Sequence, residues 1–261
     1  MEHHYQPRAW ILTIGNELLI GRVINTNAAW IASKLTFHGV SVRRILTVGD
    51  TIDDIVEALS EAVRRADIVV TTGGLGPTAD DLTLEAIAAA LHRPLVLDKE
   101  ALRMVEAFYA RRGYRLTSEA RKMALLPSGA TPIPNPEGAA PGAWIVEGRT
   151  HIFALPGVPR EMEAMMDWVI DRIKPILPRL CVREKSLLIE GVPEAVLASL
   201  LRKAARRCPR CYTKSHPKGH ETERPVVEVR VLASAGDCEK ADEEAGAVLE
   251  ELKRLLGGNV G

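Results

Sequence analysis

Two near-continuous apolar runs, WILTIG at residues 10–15 and DIVVTT at 67–72, constrain this chain more than any other feature. Neither alternates apolar with polar, so each reads as a strand covered by protein on both faces, as in a parallel sheet. Segments with a helical stripe separate and follow them. A helix from about Asn27 carries Ala28, Ile31 and Leu35 on one face and stops at Gly39. Val40 to Val48 is the next strand, closing on Gly49-Asp50, and Ile52, Ile55, Val56, Leu59 and Val63 mark the helix after it. Beyond the glycines that follow Thr72, Leu84, Ile87, Ala88 and Leu91 give a third amphipathic helix. Strand and helix in strict alternation predict an α/β domain whose mostly parallel sheet is covered on both faces. Ligands of such sheets sit beyond the carboxyl ends of the strands. One rim therefore gathers Gly15-Asn16-Glu17, Gly49-Asp50 and Gly73 to Asp81, with an acidic residue in each segment.

Residues 99–112 and 118–126 read as helical, whereas PSGATPIPNPEGAAPG at 127–142 is too rich in proline and glycine for regular structure and reads as a lid or wall loop. AWIVE and THIFAL form a hairpin about Gly148-Arg149. LPGVP leads into a helix with Pro159 in its first turn and Met162, Met165, Met166, Val169 and Ile173 facing inward. Pro175 and Pro178 break this helix and set a boundary between a larger α/β domain over residues 8–178 and a small α+β domain over 183–257. The second domain reads strand (185–190), helix (194–207), strand (211–215), strand (225–232), helix (238–256).

Lys+Arg and Asp+Glu balance at 34 each across 261 residues, so no global field draws the chain to nucleic acid or membranes. The basic stretch from Arg202 to Arg224 is the exception, suited to a phosphate-bearing ligand or weak RNA contact, while the acidic stretch from Asp237 to Glu251 suits a solvated helix face. No apolar run approaches the roughly 20 residues of a membrane span, and MEHHYQPRAW lacks the apolar centre of a secretory signal, so the expected compartment is the cytosol. Cys208 and Cys211, with His216 and His220, are spaced C-x2-C-x4-H-x3-H. That spacer is far shorter than the roughly 12 residues of a zinc finger, and a thiol pair, reduced or occasionally bridged, is the better reading.

The corner TTGGLGPTADDLT at 71–83 carries the chemistry. Gly73, Gly74 and Gly76 permit positive φ and close ligand approach, and their N–H groups can converge on an anion beside a helix start. No Gly-Lys-Ser/Thr follows, so this is not a P-loop, and GxGxxG is absent. Asp80 and Asp81 would repel a phosphate. A divalent cation, held by carboxylates and by the ligand's own phosphates, resolves the conflict.

GNELLIG (15–21), NTNAAWIASKL (25–35), VGD (48–50), TTGGLGPTADDLT, NPEGAAPG (135–142) and LPGVPREME (155–163) together resemble the CinA family over nearly the whole chain. KSHP (214–217) resembles the small second domain of such proteins. The resemblance implies a three-layer α/β fold of the type shared with the molybdopterin-binding MoaB/Mog proteins, and it does not extend to the amidase domain that many bacterial members carry. It also implies a divalent-metal-dependent (Mg, Mn or Co) pyrophosphatase that converts ADP-ribose or a related nucleotide diphosphate to AMP and a sugar phosphate, in a homodimer. The molybdopterin relatives instead bind a pterin phosphate and handle an adenylyl group, which is the alternative activity; a non-catalytic nucleotide-binding module is a third. Where the relatives' glycine motif carries arginine this chain has Asp80, which favours metal bridging. Met123 in ARKMA replaces an amide of the CinA pattern.

The expected roles follow from these blocks. Asp81 and Asp50 act on water with Lys122 beside the second phosphate, and Asp80, Asp81 and Glu17 hold the metal. Gly73, Gly74, Gly76 and Thr78 grip nonbridging oxygens. Asn27, Asn135, Gly138, Pro156 and Gly157, with Lys214 and His216 from the small domain, complete the substrate contacts.

Overall fold

The apolar run at the start of the chain becomes β1 (Arg8–Ile14), and its alternate side chains enter two different cores. A computed structural model of the chain describes residues 6–218 and 225–257. They fall into two compact units, one running to Leu177 and one from Pro178 that also takes in Phe37–Gly39.

In the first unit β1 is followed by α1 (Asn16–Leu19), α2 (Thr26–Phe37), β2 (Ser41–Val48), α3 (Ile52–Arg65), β3 (Ile68–Thr72) and α4 (Thr83–Ala90). Then come β4 (Leu95–Leu97), α5 (Lys99–Arg111), α6 (Ser118–Lys122), β5 (Leu125–Pro127), β6 (Thr131–Ile133), β7 (Gly142–Glu147), β8 (Thr150–Leu155) and α7 (Pro159–Ile173). The main sheet has the order β2-β1-β3-β8-β7-β6. Its first four strands are parallel, and β7 and β6 are added antiparallel. Ala9 and Ile11 pack with α2 and α7, whereas Trp10 and Leu12 pack with α3, α4 and α5. That division makes three layers. Each fully buried Ile or Leu of this strand contributes about 1.5–3 kcal/mol, which is why an edge or half-exposed placement would be so unfavourable. The methionines of α7 fill the α2 side of the core, with Met162, Met165 and Met166 wholly buried.

Helix α3 shows how locally consistent the sequence is. Thr51 caps it by accepting the Asp54 N–H at 3.2 Å, Asp53 and Asp54 complement the positive start, Arg64 and Arg65 the negative end, and Ile55, Ala58, Leu59 and Ala62 form the buried stripe.

The middle of this unit departs from the sequence expectation. The helix expected over 118–126 ends at Lys122, and Leu125–Pro127 instead pairs antiparallel with Leu95–Leu97. The stretch at 127–142 is not wholly irregular, since Thr131–Ile133 forms the edge strand β6. Pro132 is tolerated there because an edge strand can leave the missing N–H on its open side.

The second unit holds β9 (Cys181–Glu190), α8 (Glu194–Ala204), β10 (Tyr212–Pro217), β11 (Val226–Ala235) and α9 (Cys238–Gly257). Its antiparallel sheet, ordered β10-β11-β9, packs its alternate Val227, Val229 and Val231 against α8 and α9. All four cysteines are bridged, Cys181 to Cys238 across 57 residues and Cys208 to Cys211 across 3. The first of these was not legible as a pair. The second removes the zinc site with histidines: the sulfurs are bonded to one another, and His216 lies five residues along an extended chain from Cys211, roughly 16 Å away. His220 and the end of the basic stretch lie outside the described residues. Among the described residues, no helix is long and apolar enough to cross a membrane.

Two predictions follow from these elements. In the chain-entropy account, the long Cys181–Cys238 loop is worth about 4 kcal/mol and the short Cys208–Cys211 loop about 2 kcal/mol, so denaturant melts of the two paired serine variants should differ by roughly that gap, with Cys181→Ser/Cys238→Ser the weaker. His151 is half-buried, its Nδ1 accepts the Trp144 indole N–H at 3.3 Å, and burial holds its pKa below the ordinary 6.5. The unfolded chain then takes up this proton first, so stability should be flat above pH 6.5 and fall as pH drops below it, with a shallower slope in His151→Gln.

Candidate functional site

The carboxyl ends of β1, β2, β3 and β8 point to one rim, and their exit loops enclose a cleft of about 470 Å³. That volume suits a small organic ligand.

Its floor is a hydrogen-bonded lattice. Asn25 Nδ2 donates to Thr13 Oγ1 at 2.8 Å, and Asn25 Oδ1 caps α2 through the Ala28 N–H. Asn27 Nδ2 donates to Thr72 Oγ1 (3.0 Å) and to the Gly157 carbonyl (2.9 Å), while Thr72 Oγ1 donates to the Pro156 carbonyl at 2.8 Å. Asn27 therefore lines the cleft but spends its amide N–H groups fastening the exit of β8 to α2 and β3. It positions the wall.

The glycine corner is fixed from behind. Gly73 has φ 110° and Gly74 φ 64°, both in the region glycine favours. A Cβ on residue 73 would stand 2.2 Å from the Ile14 carbonyl oxygen, and one on residue 74 would stand 2.4 Å from Thr83 Oγ1. The buried Thr83 hydroxyl donates to the Gly73 carbonyl at 2.8 Å, and its N–H to the Gly74 carbonyl at 3.2 Å. Gly73 N–H is itself used, donating to the Leu155 carbonyl at 3.0 Å, so this glycine shapes the turn and offers no amide to a ligand. The Gly74 and Gly76 N–H groups have no hydrogen-bond partner among the described residues.

The acidic residues have local partners. Asp81 Oδ2 accepts from the Thr78 N–H (2.9 Å) and hydroxyl (2.7 Å), and Asp80 Oδ1 also faces that hydroxyl. The Thr78 bond, reinforced by Asp80's own backbone N–H and by the Lys122 charge, holds the Asp80 carboxyl below the ordinary range. Thr78 thus serves the two aspartates, not the nonbridging oxygens of a ligand. Lys122 Nζ donates to the carbonyls of Thr78 (3.0 Å) and Asp81 (2.8 Å), bracing the 78–81 loop from outside the cleft that the carboxylates line. Asp50 does not cap α3, a task Thr51 performs; its Oδ2 accepts the Asn16 N–H at 2.8 Å and pins the exit of β1 to that of β2. Glu17 occupies the space that Gly15 leaves by lacking a Cβ.

Asn135 and Gly138 are structural. Asn135 Oδ1 accepts the N–H groups of Glu137 (3.1 Å) and Gly138 (2.8 Å), and its Nδ2 donates to the Ala140 carbonyl (2.9 Å) and Glu161 Oε2 (2.8 Å). Glu161, over Gly138, is a lining residue that sequence reasoning missed. It lies in the first turn of α7, where an acidic side chain also complements the helix dipole. Pro156 and Gly157 line the cleft. Lys214 and His216 lie on β10 of the second unit, opposite Arg230 and Glu228 of β11.

Five carboxylates line this cleft, those of Glu17, Asp50, Asp80, Asp81 and Glu161, and no Lys, Arg or His does so among the described residues. They do not converge into a preformed cage: the one trio of His, Cys, Asp or Glu whose ligand atoms all lie within 4.8 Å of one another, among the described residues, is elsewhere in the fold. The arrangement fits a hydrated dication held by one or two of these carboxylates and a ligand phosphate better than an ion held by protein alone.

Comparison with known proteins adds the following. Residues 10–179 match the model of the probable molybdopterin binding domain. A curated relative from Aeropyrum pernix is 51% identical over 100% of this chain and 98% of its own length, and one from Pyrobaculum calidifontis is 49% identical over 96% of each. The crystal structure of the protein CinA, of unknown function, from Thermoplasma acidophilum is 43% identical, with a TM-score of 0.60 over 65% of this chain and 99% of that one.

The corner's geometry predicts a graded response to alanine. Gly21 has φ 70° with open space around its would-be Cβ, so Gly21→Ala should cost only the backbone strain, about 1–2 kcal/mol. Gly74→Ala adds the collision with Thr83 and should cost clearly more in a urea melt.

Proposed function

We propose, because this chain belongs to the family of the probable molybdopterin binding domain and is CinA-like, that its rim cleft binds a phosphorylated heterocyclic ligand of the pterin class for which that family is described. The observation that carries the reading is the pair of uncommitted N–H groups at Gly74 and Gly76, on a turn whose carbonyls are tied back by Thr83. Donors fixed in place before a ligand arrives lose little freedom when they receive a phosphate oxygen. The ring would lie along Leu18, Val23, Ile24 and Val158, the apolar part of the lining.

A second reading is favoured by the five lining carboxylates and the absence of a lining cation among the described residues: hydrolysis of a diphosphate such as ADP-ribose to AMP and ribose 5-phosphate. Asp80 and Asp81, adjacent and sharing the Thr78 hydroxyl, are the residues that would hold a dication, which when bound offsets charge on the diphosphate and makes water more acidic. Asp50, held by the Asn16 N–H, would take the proton of the attacking water as its oxygen bonds to phosphorus and the bridging P–O bond breaks. Lys122 acts through the loop it braces and not on substrate.

Calorimetry with molybdopterin and with ADP-ribose, each with and without Mg, Mn or Co, separates the readings when paired with chromatography for AMP. Dication-dependent binding of molybdopterin without AMP release supports the first. AMP release that requires a dication and falls by about a hundredfold or more in Asp81→Asn, which keeps an acceptor for Thr78, supports the second. Binding of neither ligand under any condition rejects both.

A further inference from the structure

The one close trio of metal-binding side chains among the described residues lies in the second unit, apart from the rim cleft's own chemistry: Cys208, Cys211 and Glu244. Cys208 and Cys211 close the turn that follows α8, and Glu244 reaches them from α9, with its Oε2 3.9 Å from Cys208 Sγ. The turn has backbone hydrogen bonds beside its sulfur link. Cys208 N–H donates to the Ala205 carbonyl at 3.1 Å and Cys211 N–H to the Cys208 carbonyl at 3.0 Å, and Cys208 is anchored in the α8/α9 core. By contrast, Cys181 and Cys238 tie together elements 57 residues apart. Closing so short a loop, the Cys208–Cys211 bridge contributes the smaller stabilisation of the two.

Arg206, Arg207 and Arg210 flank the pair in sequence, with Arg207 paired to Glu251 and Arg210 to Glu244. Arg210 Nε donates to Glu244 Oε2 at 3.2 Å and its Nη2 pairs with Oε1, so the carboxylate is held in place facing the sulfurs. Two cysteines spaced C-x2-C can present both sulfurs to one ion, and a carboxylate oxygen makes a third ligand.

We propose that Cys208–Cys211 is a reducible bridge and that its dithiolate, with Glu244, is a zinc(II) site. Reduction by a cellular dithiol passes two electrons to the bridge: the S–S bond breaks, two thiols form, and the reductant is left as a disulfide. Zinc then forms two S–Zn bonds and one O–Zn bond, displacing the two thiol protons, with water in the fourth position. The dication and its three anionic ligands leave one net negative charge, which Arg210 offsets from behind Glu244. The oxidised chain has no such site.

The test uses the whole chain, oxidised and then reduced by a phosphine, titrated with Zn(II) and with Co(II) as an optical reporter. Reduced chain should gain about one thiolate-ligated Co(II), seen as a sulfur-to-metal charge-transfer band that Zn(II) displaces. Oxidised chain should show no band. Glu244→Gln should weaken binding by about tenfold or more, and reduced Cys208→Ser/Cys211→Ser should lose the band while Cys181 and Cys238 are still present. Absence of the band in reduced native chain overturns the proposal, and so does a band of equal strength in the Cys208→Ser/Cys211→Ser variant. Both comparisons read sulfur ligation directly, so carboxylate binding of the ion at the rim cannot imitate success.

Discussion

The rim depends on one close backbone approach. The Ile14 carbonyl oxygen at the exit of β1 lies where residue 73 would carry a Cβ, and a Cβ on residue 157, at the exit of β8, would stand 3.2 Å from Gly73 Cα. Three strand exits meet only because Gly73 and Gly157 have no side chains. That meeting brings the 74–81 loop over the end of the sheet. Thr83 then fixes the corner by holding the carbonyls of Gly73 and Gly74 from the helix side, while the N–H groups of Gly74 and Gly76 have no hydrogen-bond partner among the described residues. A parallel sheet supplies the platform, but this contact decides which polar groups the platform offers.

The sequence made the first layer of this legible and the second not. Apolar runs on β1 and β3 and the stripe on α3 each have one structural solution, because burial on both faces or on one helical face accepts no other register. The gathering of Gly15, Asp50 and Gly73 at one rim follows from strand direction alone. What side chains do within that rim does not follow from type or spacing. Thr78, Asn27 and Asn135 are residue types that bind phosphates or sugars elsewhere, yet here each is occupied by protein: Thr78 by Asp80 and Asp81, Asn27 by Thr72 and Gly157, Asn135 by its own loop and Glu161. Hydrogen-bonding capacity is visible in a sequence, whereas its allocation depends on three-dimensional neighbours. The same holds for Cys181 and Cys238, whose pairing depends on β9 and α9 starting side by side. The edge strand at Thr131–Ile133 was hidden for another reason, since proline is excluded from central strands and tolerated only where the sheet ends.

The allocation bears on how so acidic a cleft is stable. Carboxylates near one another raise each other's pKa, and burial raises it further. Here Asp50 accepts the Asn16 N–H, Asp81 two bonds from Thr78, and Glu161 one from Asn135. For Asp80 the Thr78 bond outweighs burial and holds the carboxyl below the ordinary range. Asp50, Asp80, Asp81 and Glu161 thus each accept a hydrogen bond from an uncharged protein donor.

The five lining carboxylates are electrostatically unfavourable neighbours for a bare phosphate, since like charges repel. Two amide donors at Gly74 and Gly76 are too few to offset the repulsion of five carboxylates, whereas a dication bound to the ligand's phosphate converts the same carboxylates into partners. Lys122 makes the point by its position. A lysine turned into the cleft would serve a bare phosphate, but this one points its ammonium at the carbonyls of Thr78 and Asp81 and stiffens the acidic loop. On either proposed reading, a phosphate ester entering with a bound dication would meet these carboxylates as partners, whereas a bare one would meet them as like charges.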